Sequence, residues 1–88
     1  MVGVTYVVQR SDAGRWVLRP NPSAVAVGII EAAEPGPLGP RYRARVWAFR
    51  EDQRHEVGHY NSVEQSARAL MLHLDAPADA ELAPVPEP

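Results

Sequence analysis

The sequence contains no cysteine, no lysine and no long apolar run. Without cysteine the chain has no disulfide, no thiolate nucleophile and no thiolate metal site. No stretch approaches the roughly 20 apolar residues that a membrane-spanning helix needs. Residues 1–10 also lack the basic region followed by an apolar segment that marks a signal peptide. We therefore expect a cytoplasmic protein without a membrane partner.

Positive charge is confined to arginine and is distributed unevenly. All nine basic residues are Arg, and Ala and Pro are plentiful, as is typical of a GC-rich genome such as that of an actinobacterium or its phage. Residues 1–75 carry nine Arg against eight acids, a net charge of +1, whereas residues 76–88 carry three acids and no base. Within the near-neutral first part, Arg41 to Arg54 holds five Arg against Glu51 and Asp52, so this segment is locally at +3.

The length favours one small domain. A chain of 88 residues buries only about 60% of its unfolded surface, which leaves little core for a large internal pocket. This argues against most enzymes, and we expect no catalytic residues, no cofactor and no small-molecule substrate. We predict a single α+β domain over residues 1–75, followed by a disordered tail of Pro, Ala and Glu over residues 76–88.

Patterns of β-branched and aromatic residues predict the strands. Residues 4–10 and 15–19 form a hairpin across the turn Ser11–Gly14. For residues 23–33 both strand and helix remain open, with a strand over 24–30 favoured. Residues 34–40 hold three Pro and two Gly, which predicts an irregular loop. Arg41 to Arg50 alternates most clearly and predicts a strand, and residues 56–60 predict a short return strand.

A helix is predicted from Ser62 to Leu74. The segment Ser62-Val-Glu-Gln65 matches a capping box, in which the serine hydroxyl accepts from the amide of Gln65. One apolar stripe follows, made of Val63, Ala67, Leu70, Met71 and Leu74. The predicted fold is therefore an antiparallel sheet of three to five strands packed against one C-terminal amphipathic helix.

The strand from Arg41 to Arg50 supplies the first candidate site. If the small residues Ala44 and Ala48 lie beneath the helix, alternation places a row of guanidinium groups and aromatic rings on the opposite face. Such a row can contact phosphates, donate bidentate hydrogen bonds to the edges of guanine bases and stack on base faces. The alternative is that the arginines only solvate an open face and the rings are covered by neighbouring residues. The candidate nucleic-acid-binding residues are Arg41, Arg43, Arg45, Trp47 and Phe49.

The same region resembles a known family. The segments 41–47 and 57–70 are similar to the second half of the plant ethylene-response-factor DNA-binding domain, and to the related N-terminal arm-binding domains of phage integrases. In that family a three-stranded sheet lies in the DNA major groove and a helix packs behind it. The resemblance covers residues 41–74 and implies that Arg41, Arg43, Arg45 and Trp47 face double-stranded DNA.

A second motif is His55-Glu56-Val57-Gly58-His59, which matches the H-E-x-x-H signature of zinc metallopeptidases. That signature works on a helix, where the two histidines lie one turn apart. In a strand they are about 13 Å apart, too far for one zinc ion. Gly58, Asn61 and the cap at Ser62 argue against a helix here, and no third ligand is in place. A zinc metallopeptidase is thus the remote alternative, and we expect no metal site.

A third hypothesis is interaction with protein. Ala69 and Leu72 project away from the helix stripe, and Trp16 and Leu18 share one face of the second strand. With the acidic tail, these residues are candidates for a homodimer seam or a docking surface. The sequence therefore predicts a small non-enzymatic binding protein that contacts DNA, with a protein-binding or homodimeric accessory factor, of phage origin, as the alternative.

Overall fold

One sheet of six strands and a single α-helix dominate the computed structural model, which describes residues 3–86. A 3₁₀ turn at Glu51–Gln53 precedes the fifth strand. Neighbouring strands from the first to the fifth are antiparallel, and the sheet order is β5-β4-β3-β2-β1-β6. The elements are β1 (Thr5–Asp12), β2 (Arg15–Arg19), β3 (Gly28–Gly36), β4 (Gly39–Val46), β5 (Glu56–Tyr60), α1 (Val63–His73) and β6 (Glu81–Leu82).

The predicted fold class is wrong in its sheet and in its helix. The sheet has six strands and is mixed, because β6 pairs with β1 in parallel. The helix is not C-terminal, since β6 follows it, and it is not cleanly amphipathic, since Leu72 is 81% exposed on its outer side. The sequence-based prediction missed the pairing of β6 with β1 because it joins residues far apart in the chain, and local sequence patterns do not indicate such pairings. No helix among the described residues is long and apolar enough to cross a membrane.

The tail also differs from its predicted disorder. The amide of Glu81 donates to the carbonyl of Val4 at 2.8 Å, and that of Ala83 donates to Tyr6 at 2.9 Å. Leu82 and Val85 pack, partly buried, against the core. The edge of β1 offers unpaired backbone groups that a returning segment satisfies. The last two residues of the predicted tail, 87–88, lie outside the described residues.

The proline-rich segment 34–40 is a hairpin rather than an irregular loop. Strands β3 and β4 continue through it to a tight turn at residues 37–38. The ladder shifts between Ala33 and Gly36, so Pro35 is not required to donate a ladder hydrogen bond. Gly39 has a φ of +108°, which favours glycine. Strand β4 therefore starts earlier than predicted and ends at Val46 rather than at Arg50.

The core lies between α1 and one face of the sheet. Strands contribute Tyr6, Val8, Trp16, Leu18, Ile30, Tyr42 and Ala44, and the helix contributes Val63, Ala67, Leu70 and Met71. The predicted cap is present: Ser62 Oγ accepts from the amide of Gln65 at 3.0 Å. A Cβ at Gly28 would lie 2.8 Å from Leu70 Cδ1, so glycine there permits the close approach of helix to sheet.

Candidate functional site

Three arginines from two strands converge on one carboxylate of the strand between them, on the sheet face opposite α1. In the register of the sheet, Glu31 of β3 lies directly between Arg15 of β2 and Arg43 of β4. Its Oε2 accepts from Arg15 at 3.0 Å, and its Oε1 accepts from Arg43 at 3.1 Å and from Arg45 at 2.5 Å. We call these four residues the Glu31 cluster. Three guanidinium groups share one carboxylate, so the cluster keeps a net positive charge.

The electrostatics of the cluster favour an ionised Glu31. Burial raises the pKa of this carboxyl, but hydrogen bonds from Arg43, Arg45 and Arg15, with the nearby charge of Arg45, outweigh burial and hold the pKa below its ordinary value of 4.5. Arg45 is only 9% exposed and has a second, weaker partner in Glu51 at 3.8 Å. The cluster is thus a structural brace across three strands.

The predicted site residues therefore differ in what they offer a ligand. Arg41 is exposed towards the β3–β4 turn, whereas Arg43 and Arg45 are engaged by Glu31. Trp47 follows the end of β4, where its amide donates to the carbonyl of Val27 at 3.0 Å, and Phe49 is 98% exposed. The five residues share a side of the sheet but do not form a row of free guanidinium groups.

Beside the cluster lies a groove of about 630 Å³ that we call the arginine groove. Its floor is apolar: Val17 and Ile29 line it, and Ile29 is 1% exposed although it lies outside the core beneath α1. Trp47 lines one side, and the exposed side chains of Val25 and Phe49 stand at its rim. The groove is thus a concave surface with aromatic and aliphatic walls.

Four arginines line the arginine groove, and no carboxylate does. Arg15 belongs to the Glu31 cluster. The other three, Arg10, Arg19 and Arg54, form no ion pair with a carboxylate within residues 3–86. Uncompensated guanidinium groups in a concave surface attract anions.

Two of these arginines are held in place by neutral partners. Arg19 Nε donates to Gln9 Oε1 at 2.9 Å, and its Nη1 donates to the carbonyl of Ala24 at 2.8 Å. The guanidinium of Arg54 lies 4.0 Å from the centre of the Trp47 ring, while its Nε donates to the carbonyl of Ala48 at 3.1 Å. Ala48, predicted to lie beneath the helix, is instead part of this anchor. These partners orient both guanidinium groups, and because the partners are uncharged they do not neutralise the positive charge.

The sequence-based prediction missed the groove arginines because it took its DNA-contacting residues only from the segment between Arg41 and Phe49. The alternation Arg15-Trp-Val-Leu-Arg19 already places Arg15, Val17 and Arg19 on the face opposite Trp16 and Leu18. What the alternation does not reveal is that β2 lies next to β3. Trp16 and Leu18, proposed as part of a dimer seam, are 1% and 0% exposed in the core and are unavailable for one.

The H-E-x-x-H match lies on a strand. Residues Glu56 to His59 belong to β5 and His55 precedes it, so the one-turn spacing that the zinc signature needs is not present. Within residues 3–86 no group of three or more His, Asp or Glu side chains is placed to hold a metal ion.

Comparisons with protein-family models, with curated proteins and with solved structures find no match to this chain.

Proposed function

We propose that this chain is a small non-enzymatic binding protein that contacts DNA through the sheet face opposite α1. One observation carries the proposal: the arginine groove is lined by four arginines and no carboxylate, beside the stacked pair of Trp47 and Arg54. Guanidinium groups bind phosphates, and aromatic rings stack on bases, so this combination suits a nucleic acid.

Segregation of charge supports the proposal. The chain is acidic overall, with a formal net charge of -2, yet only Arg68 among its nine arginines lies on the helix. The helix and the segment after it carry acids, namely Glu64, Asp75, Asp79 and Glu81. A chain of this composition still presents a positive face, and the local field rather than the net charge steers an anionic partner.

The order of elements is also compatible with the resemblance to the ethylene-response-factor family. Strands β3, β4 and β5 form an antiparallel meander, and α1 follows and packs on it. Arg41 and the outer part of Arg43, 40% exposed, would extend the DNA contact beyond the groove along β4.

A titration of labelled random-sequence DNA at two salt concentrations tests the proposal. We expect affinity to fall steeply with salt, because phosphate contacts release counterions. Replacing Arg19, which lines the groove without a carboxylate partner within residues 3–86, by Ala removes one such contact, which lowers the slope of log affinity against log salt by about 0.9.

Arg68→Ala is the matched control, because it removes the same charge from the exposed helix surface. It should bind DNA as the wild type does. The proposal fails if no DNA, duplex or single-stranded, binds at low salt, or if the Arg19 and Arg68 variants lose affinity equally.

A protein partner is the second candidate, because the rim side chains Val25 and Phe49 are 78% and 98% exposed. Exposed apolar groups at one groove are typical of protein-binding surfaces. Binding of that kind would depend only mildly on salt, and self-association would appear as an increased mass in size-exclusion chromatography with light scattering.

A further inference from the structure

We infer that the arginine groove takes single-stranded rather than duplex nucleic acid, with unpaired bases stacked against its aromatic wall. The inference rests on the proposed function and narrows it. It depends on three observations: the concave shape of the groove, the accessibility of its aromatic rings, and the spacing of its arginines.

The shape favours unpaired bases. The groove encloses about 630 Å³, within the range of roughly 300–1,000 Å³ typical of sites that enclose a ligand. In a duplex the faces of the bases are hidden by stacking, and only their edges are available in the grooves. A recess with aromatic walls contacts base faces, which a single strand presents and an intact duplex does not.

The aromatic rings are accessible and oriented. Phe49 is 98% exposed, so its ring is free for a ligand. The indole of Trp47 is fixed by its stack with the Arg54 guanidinium, 4.0 Å from the ring centre. Planar guanidinium groups and aromatic rings are the surfaces on which single-strand binding proteins stack successive bases.

Two of the groove arginines follow one strand, a spacing that suits an extended polyanion. Arg15 and Arg19 project from the same face of β2, four residues apart, which is roughly 13 Å along a strand. Two side chains at that spacing can each contact a separate phosphate of a backbone that runs along β2. Arg54, beside the Trp47 ring, adds a further cation to the same groove.

The test compares two forms of DNA on the full chain. The single strand is an oligothymidylate of about 12 nucleotides, within the site size of small single-strand binding domains. The duplex is the same strand annealed to its complement. By fluorescence anisotropy we expect the single strand to bind about tenfold or more tightly than the duplex, because stacking adds to the phosphate contacts.

Phe49→Ala separates stacking from charge. Because this side chain is 98% exposed, its removal leaves the fold intact. We expect it to weaken oligothymidylate binding about tenfold and duplex binding little. The matched control is Leu72→Ala, since Leu72 is 81% exposed but lies on the helix, and it should leave both affinities unchanged.

Trp47 provides a second readout. Of the two tryptophans, Trp16 is 1% exposed in the core and Trp47 lines the groove, so stacking of a base should quench only Trp47 emission. The Trp47→Phe variant should then lose the quench.

Equal or tighter binding of the duplex, or full single-strand affinity in the Phe49 variant, would overturn this inference. So would quenching that persists in the Trp47 variant. If the duplex binds and depends on Arg19, the proposed function survives that result. If neither form of DNA binds at low salt, both proposals fall together.

Discussion

The two faces of the sheet are made by the same strands but bury their side chains by different means. Ile30 and Ala44 lie beneath α1 and are 0% exposed in an apolar core, whereas their chain neighbours Glu31 and Arg45 point the other way. On that second face Arg45 is 9% exposed, yet it is covered by ion pairs rather than by a helix. The helix face is held by apolar contact, and the open face is braced by charge.

The open face is itself divided. In the Glu31 cluster each guanidinium group has a carboxylate partner and joins β2, β3 and β4, and Arg15, with 42% of its side chain exposed, also lines the groove. In the arginine groove, Arg10, Arg19 and Arg54 have no such partner within the described residues. The cluster therefore braces the strands, and the groove offers the cations on which the proposed DNA binding depends.

The largest effect is expected on the helix face. Leu70 is 0% exposed and contacts the sheet at Gly28, so Leu70→Ala leaves a cavity that the surroundings only partly fill. The free energy of unfolding should fall by about 2–5 kcal/mol, which is the usual range for buried Leu to Ala changes. Urea denaturation followed by circular dichroism measures this loss.

Leu72→Ala is the control for that variant, since the same side chain is deleted from the same helix at a position that is 81% exposed. Its free energy of unfolding should stay within about 0.5 kcal/mol of the wild type. Equal losses in the two variants would contradict the assignment of the core to the inner side of α1.

A smaller effect of a different kind is expected on the open face. Glu31→Gln keeps the shape of the side chain but removes the negative charge, which leaves the buried Arg45 poorly compensated. We expect unfolding free energy to fall by about 2 kcal/mol, less than for a fully buried pair. The same change raises the positive charge beside the groove, so DNA affinity should increase while stability decreases.

Glu51→Gln tests whether this effect is specific. Glu51 also faces Arg45, but at 3.8 Å and with 71% of its side chain exposed. Exposed ion pairs contribute about 0–1 kcal/mol, so this variant should resemble the wild type in stability. If Glu31→Gln lowers the free energy of unfolding as little as Glu51→Gln does, the cluster does not brace the strands.

Alternation and capping account for what the sequence predicts well. Ala44 follows Arg43 and precedes Arg45, so a strand through these residues must separate the alanine from the arginines, and the structure places them so. The pattern at Ser62 likewise predicted where α1 begins. Both are local rules in which a few neighbouring residues determine the geometry.

Pairing between distant residues accounts for the errors. Glu31 lies between Arg15 and Arg43 only because β2 and β4 flank β3 in one register, which no single strand reveals. Glu81 pairs with Thr5 across nearly the whole chain, within a proline-rich segment whose composition predicts disorder. The groove was missed for the same reason, because its lining residues come from four separate segments of the chain.

The smallest effect, and the sharpest test of the brace, is its dependence on pH. Since the pKa of Glu31 lies below 4.5 in the fold, the ionised carboxylate contributes its full stabilisation above the unfolded pKa and loses it as pH falls through the folded pKa. The stability difference between the wild type and Glu31→Gln should therefore be constant from about pH 7 to 5 and shrink towards about pH 3. Denaturation midpoints of both proteins across this range measure the difference. If the stability difference between the two proteins stays the same at low pH, the charge of Glu31 does not hold the three strands together. The hydrogen bonds to its side chain would then be enough to join them.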